Sequence, residues 1–505
     1  MTSRQLISIH QQHPLELPEV LYLVAPLLPH ADLARTCRVN KTWFQVFAPQ
    51  LWCSIKVFPG LPCAVFSDAF PRYASFLREF ERDPHVSLAC FFKFFPCQAL
   101  SPISCWEPFC KNLRVLNLSK ISSPDVELIC QILIHNPRLE KLALEGSQLK
   151  DKLAQTLLDV LSNLARLTSV TTLNAMTNSM YLWTYPLLLR VPRLRNLETT
   201  LWGLPNKDID TGLQGTSMTL QLEKLRIRSN ACDFPLLIPI LRSSPLLEKL
   251  RLDVAKHPRT YVYSDRHRAN IAELAQVLHE SCPHLQELTV VNLPIDRTDL
   301  HVLLSWSYFS FSSVSCSSSS SSPALIATKP PQSSFSLRVL QLEDTNVLQH
   351  EVLHLITTEP SVTVALQNTL EILELKPAIR CRHPVVACPN LVWILQHFKR
   401  LKRVIAGRLS VHLEDFYESP ALQSPSPSST SATPPPPLSE ARRWIPWACR
   451  DSIEMVEFKI NGAIWCSSTT HVTNDATPTT DYCDFLKELD TMPNLGSGMV
   501  NVMES

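Results

Sequence analysis

Glycine is nearly missing from this chain, 9 of 505 residues, about 1.8% where ~7% is usual. No G-x-G-x-x-G, G-x-x-x-x-G-K-[ST] or G-x-S-x-G occurs. That removes the loops that cradle nucleotide phosphates and the elbow that presents a nucleophilic serine. An excess of one charge is also lacking: 47 Lys and Arg stand against 46 Asp and Glu, net +1. No stretch gathers basic residues with interleaved aromatics, so neither a nucleic-acid surface nor an anionic-membrane surface is expected. Met1 to Pro14 holds one arginine and no long apolar run, and the apolar stretch beyond is broken by Glu16 and Glu19. Neither a signal peptide nor a transit peptide is therefore expected, and the chain reads as intracellular, in cytoplasm or nucleus. The longest uncharged run, Val302 to Thr328, is packed with serines and reads as a loop rather than a membrane span. Of 16 cysteines none form C-x-x-C, and several sit among apolar neighbours, as Cys130 does in LICQIL. Buried reduced thiols account for such positions. Cys381, His383 and Cys388 lack the paired spacing of a structural zinc site.

What is plentiful is proline, 40 residues, and a recurring leucine frame. The length allows about three domains or one long array. LEKLALEGSQL (139 to 149) recurs loosely as LEKLRIRSNAC (222 to 232), LEKLRLDVAKH (247 to 257), LQELTVVNLPI (285 to 295), LRVLQLEDTNV (337 to 347) and LEILELKPAIR (370 to 380). Further L-x-x-L-x-L copies begin at Leu113, Leu194, Leu401 and Ile453, with a weaker one near Leu167 or Val170 whose register stays open. The spacing supplies the specificity. Origins at 113, 139, 167, 194, 222 and 247 step by 26, 28, 27, 28 and 25, within the 20 to 29 residues of leucine-rich repeats. Asn136-Pro137, Val191-Pro192, Ser244-Pro245 and Cys282-Pro283 each sit just before a repeat leucine, where proline ends a helix and favours extended geometry ahead of a strand. Between frames, Val126, Ile129, Cys130 and Leu133, and again Ile271, Leu274, Val277 and Leu278, lie at helical spacing. Each unit is strand, turn, helix, and none can bury its apolar face alone, so neighbours must stack.

Two later intervals, 285 to 337 and 401 to 453, are each 52 residues. Subtracting the Ser-rich stretch near 310–335 and the Ser/Pro-rich stretch near 418–440 restores about one period to each. Both stretches read as disordered insertions, because neither has the apolar content to offset its ordering entropy. The array resembles the leucine-rich repeat family in its longer strand-helix form over 113–466. The family's asparagine or cysteine landmark is plain only at Asn230 and Cys232. The strand VSLACF (86 to 91) is a candidate degenerate first unit.

Residues 15 to 52 follow another design. Val20, Leu21, Val24, Leu27 and Leu28 recur at helical spacing, Pro29 stops that helix, Asp32 is placed to cap a second, and Asn40 to cap a third bearing Trp43, Val46 and Phe47. Leu17-Pro18-Glu19-Val20, Asp32-Leu33, Lys41 with Trp43, and Leu51-Trp52 resemble the F-box family, with the usual Val-Cys-Arg scrambled as Cys37-Arg38-Val39. The resemblance implies docking on the S-phase-kinase-associated adaptor of a cullin ubiquitin ligase through Leu17, Pro18, Leu21, Leu33 and Trp43, with the repeats holding a protein substrate.

His350-Glu351-Val352-Leu353-His354 spells H-E-x-x-H, a zinc-protease pattern when carried on a helix. Its setting argues against that role. Leu348, Val352, Leu355 and Ile356 make an ordinary core stripe, no further His follows in the extended pattern, and the candidate third ligands Glu371 and Glu374 belong to the next repeat strand.

The sequence therefore reads as an α/β chain, a leucine-rich-repeat solenoid in a right-handed strand-helix horseshoe, preceded by a small all-α three-helix module. The expected boundaries are a disordered 1–13, the F-box-like module at 14–54, a cap or connecting segment at 55–112, the solenoid at 113–466, and a tail or partial last repeat at 467–505. The expected role is a non-enzymatic substrate receptor with no cofactor and no metal, binding neither nucleic acid nor membrane. The alternative is a leucine-rich-repeat scaffold without a ubiquitin role, its amino-terminal helices merely capping the array.

Overall fold

The computed structural model describes residues 17–58, 72–83, 111–118, 125–144, 151–172, 181–201, 219–229, 234–254, 265–305, 336–345, 347–376, 386–411, 447–449 and 452–460. Two compact units, Met1–Gly203 and Leu204–Ser505, divide the chain.

The first unit opens on three helices: α1 Pro18–Val24, continued by a 3-10 turn Ala25–Leu27, then α2 His30–Thr36 and α3 Lys41–Leu51. Pro18 lies in the first turn of α1, where its missing N–H costs nothing. Asn40 caps α3 as expected, its side chain accepting from Trp43 N at 2.8 Å. Asp32 does not cap α2. That helix starts two residues earlier, after Pro29 in extended geometry, and Asp32 in its first turn pairs with Arg35 at 2.9 Å. Leu21, Ala25, Leu33, Val46 and Phe47 form the bundle core, with Leu28, Cys37, Trp43 and Leu51 packed at its edge. The buried stripe of the first segment is thus Leu21, Ala25 and Leu28, and Leu27 from the sequence stripe is 80% exposed.

Six strands follow: β1 Ser54–Val57, β2 Glu79–Arg82, β3 Val115–Leu118, β4 Lys141–Ala143, β5 Ser169–Thr171 and β6 Asn196–Leu201. Each runs parallel to the one before. Strands β1 and β2 extend the parallel sheet back to Ser54, into the stretch 55–112 read as a cap or connecting segment, most of which lies outside the described residues. The frame is hidden because only Leu77 among its three positions is a leucine, the other two being Phe80 and a buried Arg82. The candidate strand VSLACF lies outside the described residues. Near 167 the register is settled, with Leu167, Val170 and Thr172 all buried. Helices α4 Asp125–Ile134, α5 Asp151–Ser162 and α6 Tyr181–Arg190 alternate with these strands. Val126, Ile129, Cys130 and Leu133 are the buried stripe of α4, as their spacing predicts.

The second unit holds β7 Lys224–Ser229, α7 Phe234–Arg242, β8 Lys249–Val254, α8 Asp265–Ser281, β9 Glu287–Val291, α9 Arg297–Leu304 and β10 Val339–Glu343. After them come α10 Gln349–Thr358, α11 Pro360–Gln367, β11 Ile372–Lys376, β12 Val386–Ala387, α12 Pro389–His397, β13 Arg403–Val411 and β14 Met455–Ile460. Parallel pairing runs β7, β8, β9, β10, β11, β13, with both β12 and β14 on β13. Strands β9 and β10 pair in register across the Ser-rich stretch, and β13 and β14 across the Ser/Pro-rich one. Repeats on either side of each insertion therefore stack directly, while the insertions themselves lie outside the described residues.

One hydrogen-bond device recurs at the start of nearly every strand. Two successive N–H groups donate to a single carbonyl of the preceding strand's leading residue: Arg114 and Val115 to Arg78, Glu140 and Lys141 to Arg114, Gln286 and Glu287 to Glu248, Arg338 and Val339 to Gln286, and Lys402 and Arg403 to Glu371. Just ahead of it lies a turn. The N–H groups of Leu139, Leu194, Leu247 and Leu285 donate to the carbonyls of Asn136, Val191, Ser244 and Cys282, the residues that precede the in-phase prolines. Glycine is not needed at the far end of the strands either. Asn292 and Asp344, immediately after β9 and β10, take positive φ of 56° and 54°, a left-handed geometry that Asn and Asp tolerate best after glycine.

Candidate functional site

The five residues named from the helical module separate in space. Leu21 and Leu33 are 1% and 4% exposed and belong to the bundle core. Trp43 is half-buried, its ring tilted on Phe47 at 5.5 Å. Leu17 is half-buried, its carbonyl taking the N–H groups of Val20 and Leu21, and Pro18 is exposed. The apolar surface lies elsewhere. Leu23 is 76% and Leu27 80% exposed, four residues apart along α1 and its 3-10 extension, and Tyr22 and Val39 are exposed as well. Sequence spacing did not identify this set, because in a small bundle the same helical period serves the core and the outside. Burying a leucine of this kind is worth roughly 1.5–3 kcal/mol.

Tyr22 also borders a cleft of about 510 Å³ within the first unit, where Phe76 and the aliphatic ring of Pro49 supply apolar wall. Arg78, Arg114 and Arg138 line it, and no carboxylate is among its lining residues. Arg114 reaches Glu140 at 3.8 Å outside the cleft. Trp52, at the end of α3, stacks on Tyr73 at 4.9 Å, and Phe44 meets the same ring edge-on at 6.0 Å.

Outward-facing strand residues carry the charge of the second unit. Asp253, nearly buried, accepts from Arg226 Nε and Arg251 Nε, each at 2.8 Å. Farther along, Glu371 lies between Arg338 at 3.2 Å and Lys402 at 2.8 Å, and Glu374 between Lys376 at 3.1 Å and Arg403 at 2.9 Å. The hydrogen bond from Lys402, with the nearby charges of Lys402, Arg338 and Arg400, holds the Glu371 carboxyl below its ordinary range. Among the other charged strand residues, Lys141 is exposed on β4, and Arg226, Arg228 and Arg251 lie on β7 and β8, while Glu145 lies outside the described residues. Asp253, which organises the arginines, gave no signal in the sequence beyond its strand position.

The H-E-x-x-H residues have other employment. Glu351 accepts from Leu348 N at 2.9 Å and so caps α10, and His354 meets Arg297 at 3.0 Å. Among the described residues no three His, Cys, Asp or Glu side chains gather as a metal-holding group. Both acids considered as third ligands are the ion-paired Glu371 and Glu374. Cys381 and His383 lie outside the described residues, and Cys388 is a buried residue at the start of α12. Burial pushes the Cys282 and Cys449 thiols up to about 12 and that of Cys130 to about 11. Cys282 and Cys449 donate weakly to helix-end carbonyls, Leu241 at 3.7 Å and Leu395 at 3.5 Å. These are packing groups rather than nucleophiles.

Among the described residues no helix is long and apolar enough to cross a membrane. No protein-family description matches the sequence, and no curated protein matches it. Solved structures with a remote likeness include a TLR13 chain and an internalin. The TLR13 chain of a TLR13–ssRNA13 complex is 14% identical at a TM-score of 0.36, covering 72% of this chain and 45% of its own, so the present chain spans less than half of that protein's length. An internalin (inlF) from Listeria monocytogenes is 11% identical at a TM-score of 0.30, covering 78% of this chain and 86% of its own. The leucine-rich-repeat architecture rests on the strand register and the buried frame described above.

Proposed function

We propose that the chain is the substrate-recognition subunit of an SCF-type, cullin-based ubiquitin ligase, its three-helix module docking on the S-phase-kinase-associated adaptor and its repeats holding a protein substrate. One observation carries the reading. A module of about 35 residues buries Leu21 and Leu33 internally and still leaves Tyr22, Leu23, Leu27 and Val39 exposed. An apolar face of this kind on so small a unit is the mark of a partner site. Parallel repeat units with polar outward strand residues supply an extended surface suited to protein binding.

The test is capture of purified adaptor by the full chain, followed by co-purification of adaptor and cullin from cells. Leu23→Asp with Leu27→Asp should abolish capture, and Leu17→Ala with Pro18→Ala should weaken it, with far-ultraviolet circular dichroism unchanged in both. A wild-type chain that captures no adaptor would overturn the reading. The stack of Trp52 on Tyr73 favours the second reading, a scaffold whose helices cap the first repeats. In that case the Asp variants would change nothing.

A further inference from the structure

The cleft of the first unit lies where the helical module meets the approaches to three successive strands. Its volume of about 510 Å³ falls in the range of roughly 300–1,000 Å³ typical of small-ligand sites, whereas packed interiors leave few gaps larger than a water molecule. It is a shaped feature, not a packing defect. Two kinds of wall meet in it. Tyr22 of α1, Pro49 of α3 and Phe76 supply apolar surface, and Tyr22 and Phe76 are 58% and 37% exposed. Arg78, Arg114 and Arg138 supply the other wall.

Repeat register gathers the arginines. Arg114 N donates to Arg78 O at 2.7 Å and Glu140 N to Arg114 O at 2.8 Å, with Arg138 two residues ahead of Glu140. The three side chains thus come from the approaches to β2, β3 and β4, and like charges on adjacent repeats work against the fold. Carboxylates nearby do not remove the excess. Glu140 meets Arg114 at 3.8 Å with both side chains open to solvent, a pairing of little worth. Glu81 is taken by Lys56 at 2.9 Å. Glu79, next to Arg78, acts on the Cys53 thiol as Arg78 does, though burial is the larger influence there, and Glu79 does not line the cleft. Arg78 and Arg138 make no side-chain ion pair among the described residues.

From this juxtaposition we infer that the cleft binds a small phosphate monoester with an aromatic body, its ring against Tyr22 and Phe76 and its phosphate held by Arg78, Arg114 and Arg138. Charge selects the phosphate. A phosphate monoester carries about −1.5 to −2 charge at neutral pH and three acceptor oxygens, which match guanidinium forks and relieve the repulsion among them as it binds. A carboxylate, with one charge and two oxygens, satisfies fewer of the three. The exposed rings select the body, since an aromatic group laid on them removes apolar surface from water. Asn112, fixed by its Nδ2 donating to Ser75 O at 2.9 Å, adds a polar edge that orients the ligand. The inference goes beyond the ubiquitin role and does not require it.

The experiment uses the full chain with 1-naphthyl phosphate, 1-naphthol and inorganic phosphate as probes, read by isothermal titration calorimetry. A second readout locates the site: labelling by N-ethylmaleimide at pH 8, followed by mass spectrometry, because Cys53 lines the cleft whereas Cys37, another half-buried thiol of the module, does not. Naphthyl phosphate should bind about tenfold or more tightly than either other probe and should slow labelling of Cys53 but not of Cys37. Arg78→Gln with Arg138→Gln should weaken it about tenfold with an unchanged unfolding midpoint, since neither guanidinium makes an ion pair. If that variant does not fold, Arg138→Gln alone should still weaken binding about threefold. Phe76→Ala should weaken naphthyl phosphate and leave inorganic phosphate unchanged. No binding, binding without protection of Cys53, equal affinity for 1-naphthol, or no effect of the variants overturns the inference. So does tighter binding of a phosphotyrosine decapeptide or of a single-stranded oligonucleotide, either of which would make the cleft a macromolecular site. Adaptor capture, measured separately, leaves the ubiquitin reading to stand or fall by itself.

Discussion

Replacing Asn136 by alanine should destabilise the first unit more than its small size suggests. The residue is 1% exposed. Its Oδ1 accepts from Leu113 N at 2.9 Å, and its Nδ2 donates to Ile132 O at 2.7 Å. It therefore ties the end of α4 to the approach of β3 in the preceding repeat. Alanine would leave the Leu113 N–H and the Ile132 carbonyl without these partners. The Leu113 side chain is fully buried, so water has poor access, and a buried unpaired group costs about 1–3 kcal/mol. The carbonyl, at a helix end, is cheaper to expose, which puts the total at roughly 2–4 kcal/mol. For a unit of some 200 residues each kcal/mol moves the midpoint by about 2–4 °C. The assay is urea and thermal unfolding followed by tryptophan fluorescence, Trp183 being buried in the same unit. Asn163→Ala is the control, because Asn163 is exposed and makes only one side-chain bond, to Asp159 O at 2.9 Å. A loss below about 1 kcal/mol for Asn136→Ala, or a loss equal to that of the control, would refute the account of this residue as an inter-repeat tie.

Three further outcomes are expected. Leu33→Ala should cost about 2–4 kcal/mol, whereas Leu27→Ser at the exposed position should stay within about 0.5 kcal/mol; equal losses in denaturant titrations would contradict the placement of the two leucines. Glu371→Gln should cost about 1 kcal/mol at neutral pH. Because the folded carboxyl lies low, that contribution is complete above the unfolded glutamate value near ~4.3 and fades as pH falls through the folded value, so wild type and variant should converge in unfolding curves once the pH is below the folded value; a gap that persists in strong acid would refute the charge origin. In iodoacetamide labelling of the native chain at pH 8, read by mass spectrometry, Cys282 and Cys449 should remain unmodified until the protein unfolds, and prompt labelling of either would contradict its burial.

Much of the repeat architecture was legible because period and phase are carried by leucines with few alternatives. Leu116, Leu142, Leu197, Leu225, Leu250, Leu288, Leu340 and Leu373 all occupy the second frame position and are all buried. What the frame concealed was its own beginning, where Phe80 and Arg82 replace leucines. The helical module shows a different limit. Its caps followed local chemistry at Asn40 but not at Asp32, since Pro29 in extended geometry had already begun the helix. Which apolar residues face inward depends on how three short helices cross, and spacing along one helix carries no information about that. The residues named from resemblance therefore divide between core and surface, and the exposed Leu23 is not among them. On the strand face, alternation told which residues point outward, but only cross-strand register brought Arg226, Arg251 and Asp253 together.

The carbonyl that takes two donors at nearly every described strand start also gives the array a direction in time. Its acceptor always lies earlier in the chain than its donors: Cys53 serves Arg78 and Glu79, Arg114 serves Glu140 and Lys141, and Glu371 serves Lys402 and Arg403. A polypeptide made from its amino end thus presents every new strand with a template that has already been synthesised. A long insertion postpones the next docking event without removing its target. Loss of repeats from the carboxyl end leaves each remaining strand with its alignment intact, whereas loss from the amino end strips the following strand of the group that sets its position. Growth by addition of units is correspondingly easier at the carboxyl end.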